Sequence, residues 1–118
     1  MSNDDYSTDR WLLDLFEGWF DPCKLHSLET RPEFDGLVAD WHDHTFVNPP
    51  YSNPLPWVKK AIYESNRYRR IVLLLKHDSS TEWYRLLHEA GANFLMVNGR
   101  LKHRTETSAP FPSVLVVL

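Results

Sequence analysis

Apolar positions recur at helical spacing in three places along the chain and as short continuous runs in four. In residues 7–17, Trp11, Leu12, Leu15 and Phe16 fall on one face of a helix. Ser7 or Thr8 can cap its start and Gly18 can end it in a left-handed conformation. Trp19-Phe20-Asp21 reads as a very short strand stopped by Pro22. Residues 23–41 show little periodicity and read mostly as loop, with Gly36 marking a turn. Thr45-Phe46-Val47 is a β-branched and aromatic run. Asn53 followed by Pro54 is a cap and first-turn pair that opens a second helix to about Arg67, with Trp57, Val58, Ala61 and Ile62 on its apolar face.

Residues 70–75 form an apolar run of strand length, as expected for a strand covered on both sides. Ser79-x-x-Glu82 reads as a capping box for a third helix, with Trp83, Leu86, Leu87 and Ala90 inward and Gly91 closing it. Phe94-Leu95-Met96-Val97 and residues 114–118 read as strands, separated by an Asn98-Gly99 turn signal and a basic segment. The order strand, helix, strand, helix, strand, strand from Thr45 onward predicts an α/β fold. Its sheet is mostly parallel, with a C-terminal antiparallel strand.

Composition narrows the class. The 118 residues suit one domain, and a hydrophobic share of 42% with 14% aromatic is that of a folded chain. A doubly wound domain with seven strands and six helices needs roughly 155 residues or more, so a chain of this class is a trimmed version. One cysteine excludes an intramolecular disulfide, which makes a reducing, cytoplasmic compartment the expectation. No apolar stretch approaches the roughly 20 residues of a membrane helix, and the acidic start has no signal-peptide pattern, so no membrane partner is expected. A net charge of −3 excludes a protein that simply coats nucleic acid but leaves room for a local basic patch.

The stretch with most chemical content is Asn48-Pro49-Pro50-Tyr51, between an apolar strand and a helix. Ligands of open α/β sheets bind beyond the carboxyl ends of strands. Two prolines stiffen the backbone, so the Asn48 side-chain oxygen and the Pro49 carbonyl can point at one spot and hold both hydrogens of an exocyclic amino group. Tyr51 supplies a flat face for a planar base or amide. Other constellations carry less. His42-x-His44 with Asp40 and Asp43 has metal-ligand residue types, but no further Cys/His spacing completes a site, so no metal is expected. Cys23 reads as a small packing residue, and the five tryptophans read as core, with Trp41 or Trp57 open to lining a pocket.

The chain resembles the phage-type DNA N-6-adenine methyltransferases, which use S-adenosylmethionine. The resemblance rests on Tyr6-Ser7-Thr8, Phe20-Asp21-Pro22-Cys23, Asp35-Gly36-Leu37 with Asp40-Trp41, and the run from Phe46 to Tyr51. Trp57-Val58-Lys59-Lys60-Ala61, Asn98-Gly99-Arg100-Leu101 and Ala109-Pro110-Phe111-Pro112-Ser113 complete it, in the family's order. Where the family usually has Thr-Pro, this chain has Thr8-Asp9.

The resemblance implies a trimmed Rossmann-like methyltransferase fold in a single minimal domain without a separate target-recognition domain. Asn48, Pro49, Pro50 and Tyr51 would hold a flipped adenine of DNA. Asp21 and Cys23 would sit near the cofactor, with Thr8 touching it from the other side. Asp35 or Asp40, like Glu29 or Glu33, would supply a ribose or adenine contact, and the residues do not choose among them. DNA needs a cationic surface. Arg100, Lys102, His103 and Arg104 are candidates, as are residues around the second helix, although Lys59, Lys60 and Arg67 read more simply as a solvated charged face and Arg69-Arg70 as the flank of a buried strand. If phage-encoded, the protein would act in the host-cell cytoplasm. Two other readings stay open: a protein glutamine methyltransferase, whose amide would suit the same loop, and a non-catalytic binding remnant of the fold. The uncharged run 114–118 is either interior to the sheet or an edge that pairs in a homodimer.

Overall fold

The computed structural model describes residues 10–23, 35–97 and 112–118. Strand β2 (Arg70–Lys76) is the spine of the sheet, and its five middle residues are all buried. Strand β1 (His44–Val47) lies parallel to it, Val47 beside Leu73. Strand β4 (Ser113–Val117) lies antiparallel on its other side, Leu115 beside Leu74. Strand β3 (Asn93–Met96) pairs antiparallel with the far side of β4, which makes the order β1-β2-β4-β3. Three strands therefore point one way and the last points back, as expected, but because β4 lies between β2 and β3 only the β1–β2 pairing is parallel, and the sheet is mixed rather than mostly parallel. The run at residues 114–118 is an interior strand, which removes it as a free pairing edge.

Side chains alternate across β2, so each face of the sheet receives its own apolar set. Ile71, Leu73 and Leu75 face helices α2 (Leu55–Ser65) and α3 (Glu82–Glu89), packing with Trp57, Val58, Ala61, Trp83, Tyr84 and Leu87. Val72 and Leu74 face the other way, with Phe46, Leu12 of helix α1 (Arg10–Asp14), Phe16 and Trp19. Phe16 stacks on Phe46 with ring centres 4.3 Å apart.

Several boundaries differ from the periodicity. Among the described residues helix α1 ends at Asp14, and the chain continues as turns to Gly18, which adopts the left-handed conformation at φ +85°. Of the expected inward face Leu12 is buried, while Trp11 and Leu15 are exposed. Trp11 is thus not a core tryptophan. Helix α2 starts after Pro54, which occupies the cap position in helical geometry with no side-chain cap, so Asn53 lies one residue too early. It ends at Ser65 rather than near Arg67. Helix α3 is capped by Thr81, whose hydroxyl accepts the Tyr84 N–H at 3.3 Å, and not by Ser79. Asp78 holds the Ser80 N–H at 3.1 Å, forming the turn that delays the helix start. The inward face consequently includes Tyr84, while Leu86 is half-buried and Ala90 exposed. The proposed caps Ser7 and Thr8 and the Asn98-Gly99 turn lie outside the described residues.

Candidate active site

Because β1 and β2 are parallel, their carboxyl ends share one end of the sheet, and antiparallel β4 begins there. Asn48-Pro49-Pro50-Tyr51 leaves β1 at this end, Lys76-His77-Asp78 leaves β2, and Ser113 opens β4 opposite Lys76. Prolines 49 and 50 cannot extend the strand ladder, and the Asn53 N–H closes the turn onto the Pro50 carbonyl at 3.1 Å. Pro49 is buried, whereas Asn48, Pro50 and Tyr51 are half-buried and reachable from solvent. Within this loop the Tyr51 hydroxyl donates to Asn48 Oδ1 at 3.2 Å.

The residues around Asp21 reach the same end through one short pairing. Phe20 donates to the His44 carbonyl at 3.0 Å and accepts from the Phe46 N–H at 2.9 Å, a single parallel bridge on the outer edge of β1. The short strand expected at residues 19–21 is this bridge. Asp21 follows it toward the Asn48 loop, and its Oδ1 accepts the Cys23 N–H at 3.1 Å in an Asx-type turn. Cys23 is buried. Burial pushes its thiol well above the ordinary value, the Asp21 charge adds to this, and a main-chain hydrogen bond from Asn48 acts in the opposite sense. That hydrogen bond places the Asp21-Pro22-Cys23 segment against the Asn48 loop.

Gly36 closes the arrangement from a third side. A Cβ at this position would lie 2.6 Å from the Pro22 carbonyl oxygen and 3.0 Å from the Trp57 ring, so only glycine permits the approach. Its carbonyl accepts the Trp41 indole N–H at 2.7 Å. Trp41 and Trp57 are both buried, which makes them supports rather than pocket walls. Asp35, exposed beside Gly36, accepts the Leu37 N–H at 2.9 Å. Asp21, Cys23 and Asn48 are therefore gathered at one end of the sheet, and the close approach of Gly36 to the Pro22 carbonyl brings the backbone of Asp35 next to the Asp21-Cys23 segment.

Asp40 is not gathered with them. Its carboxylate meets Arg67 at 2.9 Å, beyond the carboxyl end of α2, and the neighbouring Asp43 carbonyl accepts the Arg70 N–H at 2.8 Å where β2 begins. This is the opposite end of β1, about 13 Å from Asn48 at strand spacing. The Arg67 hydrogen bond and charge hold the Asp40 carboxyl below its usual range. The basic residues here are also not simply a solvated face. Fully buried Glu64 has Lys60 at 2.8 Å, Arg69 at 3.2 Å and Arg67 at 3.7 Å. His42 stacks on Phe20, and His44 meets Trp19 edge-on. No group of three or more potential metal ligands occurs among the described residues. Thr8, Glu29, Glu33, Arg100, Lys102, His103 and Arg104 lie outside the described residues.

Two features of the site escape the sequence reading. The segment after β2 reads only as a helix cap, although strand pairing brings it to the same end as the Asn48 loop. Ser113, buried at the start of β4, has a hydroxyl with no hydrogen-bond partner among the described residues. The parallel order of β1 and β2 was the available signal for the first; Ser113 stands in one of the stretches that carry the family resemblance, but nothing in the sequence marks its hydroxyl as unpartnered.

A sequence profile of the DNA N-6-adenine-methyltransferase (Dam) family matches residues 23–110, a span that contains Cys23, Gly36, the Asn48 loop and β2. The chain belongs to this family. Asp21 and Thr8 lie ahead of the matched span. The chain is similar to a DNA N-6-adenine-methyltransferase of Haemophilus phage HP1 (strain HP1c1), 36% identical over 92 residues, covering 67% of this chain and 53% of that protein. A protein of the same name from Escherichia phage T1 is 36% identical over 81 residues, covering 66% of this chain and 32% of its own length. The chain thus spans about half the length of one relative and about a third of the other. No solved structure matches it. No helix among the described residues is long and apolar enough to cross a membrane.

Proposed function

We propose that the protein transfers a methyl group from S-adenosylmethionine to the N6 amino group of adenine in DNA, with the base turned out of the stack onto the Asn48 loop. The observation that carries this reading is the Asn48-Pro49-Pro50-Tyr51 loop at the carboxyl end of β1, inside the span matched by the family. The sheet is then the catalytic half of a trimmed Rossmann-like fold.

The donor set fits the cofactor. A ligand bearing an ammonium and a sulfonium needs negative charge nearby, and half-buried Asp21 and exposed Asp35 supply it at the end where Asn48 lies. In the proposal Asp21 and Asp35 hold the cofactor, and Cys23 packs between it and the loop. When bound, S-adenosylmethionine supplies an electrophilic methyl group.

The chain's own residues must make the amino group a nucleophile. Its lone pair is delocalised into the adenine ring, so attack requires the nitrogen to become pyramidal. Asn48 Oδ1 and the Pro49 carbonyl accept its two hydrogens and favour that geometry most as the lone pair localises, which is stabilisation of the transition state rather than base catalysis. Asn48 is neutral and accepts without taking the proton, which leaves after transfer. N6 is out of reach within a stacked duplex, so the base must be extruded, and the Tyr51 ring replaces its lost stacking. Arg100, Lys102, His103 and Arg104 lie between β3 and β4. β3 ends and β4 begins at the end of the sheet bearing the Asn48 loop, and in the proposal these four residues supply the cationic phosphate contacts.

The test is transfer of labelled methyl from S-adenosylmethionine to adenine-containing DNA, read as N6-methyldeoxyadenosine after digestion. Asn48→Ala should reduce transfer by about 100-fold or more with an unchanged melting temperature. Wild-type rates in Asn48→Ala would overturn the mechanism. Label in a glutamine-bearing protein but not in DNA would favour amide methylation, and no cofactor binding at millimolar concentration would favour a non-catalytic remnant.

A further inference from the structure

We infer that the hydroxyl of Tyr51 is a positioning group for Asn48, a role separate from stacking by the Tyr51 ring; the inference rests on the methyl-transfer reading above. The contact behind it is the hydrogen bond from the Tyr51 hydroxyl to Asn48 Oδ1, 3.2 Å across three residues.

A primary amide has an acceptor end and a donor end of nearly equal size, so rotation by half a turn exchanges them at little steric cost. The incoming amino group is a donor. Only the orientation with Oδ1 forward accepts it, and the opposite one sets two donors against each other. A phenolic O–H is a better donor than acceptor, and an amide oxygen is a better acceptor than its nitrogen is a donor. The Tyr51 hydroxyl therefore favours Oδ1 on its own side. The carbonyl oxygen has two lone pairs, so it can accept from Tyr51 and from the amino group together.

Pro49 and Pro50 give the bond its rigidity. With φ locked at both intervening residues, the separation of residues 48 and 51 varies little, and the side-chain bond closes a ring across a stiff linker. The face that stacks the base and the acceptor that takes its amino hydrogen then belong to one preset unit. Pre-ordering an acceptor in this way lowers the reorganisation needed at the moment of reaction.

Tyr51→Phe separates the two roles, because it keeps the ring and removes only the hydroxyl. The turnover rate at saturating DNA and cofactor should fall about three- to ten-fold, the effect of one lost hydrogen bond. KM for DNA should stay within about two-fold, and the fluorescence gain of 2-aminopurine at the target position should equal wild type. A merely structural role would lower the fluorescence signal and the rate together.

The Asn48→Asp background supplies a second readout. A carboxylate has two equivalent oxygens and needs no orienting partner, so adding Tyr51→Phe there should cost less than two-fold. An unchanged turnover rate in Tyr51→Phe overturns the inference, as does a loss shared by rate and fluorescence or an equal penalty in both backgrounds. Absence of methyladenine with the wild-type protein would instead overturn the underlying function, so the two failures are distinct.

Discussion

Cys23 lies where burial, a neighbouring carboxylate and the Asn48 loop meet. Its thiol is held well above the ordinary value, by burial first and the Asp21 charge second. The folded protein thus keeps it neutral at a pH where the unfolded chain has begun to lose the proton. A folded-state value above the unfolded one means stability is fully present below the unfolded thiol value and is lost as pH rises toward the folded one. Denaturation midpoints should therefore decline from about pH 8.5 upward, and the decline should be smaller in Cys23→Ala. The same burial predicts that a disulfide-exchange reagent labels the native thiol slowly and the denatured thiol at once. Equal labelling rates would contradict the buried placement. At this scale the sequence was most legible where chemistry constrains residue type: Asn48, Tyr51 and Asp21 stand out as candidates by letter and neighbour, and the structure places them at one end of the sheet. The acidic candidates Asp35 and Asp40 are alike in sequence, and only their positions at opposite ends of β1 separate them.

The clearest strain in an element is at the end of α2. Tyr68 has φ +64° and is 99% exposed, a left-handed conformation without packing to offset it. Tyr68→Gly should stabilise the protein by about 1 kcal/mol, because glycine adopts this geometry without the Cβ clash. At this size that corresponds to a rise of roughly 4–8 °C in the melting temperature. Methyl transfer should be unaffected, since this turn lies at the end of the sheet away from Asn48; a thermal melt beside a transfer assay checks both. Element identities were readable because runs such as residues 70–75 have no competing interpretation. Boundaries were less readable. Ser79 and Thr81 are both adequate caps, and the choice fell to Thr81 because Asp78 captured the Ser80 N–H.

Among the described residues, β2 and β4 are interior strands, each paired on both sides, while β3 pairs on one side only and leaves Leu95 and Met96 half-exposed. Opening β3 exposes little apolar surface, whereas opening β2 or β4 divides the sheet. Native-state hydrogen exchange should accordingly be slowest at the paired amides of β2 and β4 and faster in β3 and α1. Protection in β3 equal to that in β2 would mean that its outer edge is covered. The two ends of the sheet also differ in kind. One carries the Asn48 loop, Asp21 and Cys23, and the other carries Glu64 and its basic partners, whose charges are committed to a buried carboxylate.

By itself the sequence determined the kinds of element, their order and the stiff Asn48-Pro49-Pro50-Tyr51 loop, because these depend on local periodicity and on the covalent restriction of proline. Tertiary structure alone decided that residues 114–118 enter the sheet between β2 and β3, and that Asp21 lies beside the loop while Asp40 does not. Those outcomes depend on strand pairing and on approaches between segments distant in the chain. Local preference carries no record of such distances; they arise only when the apolar faces of β2 are buried together.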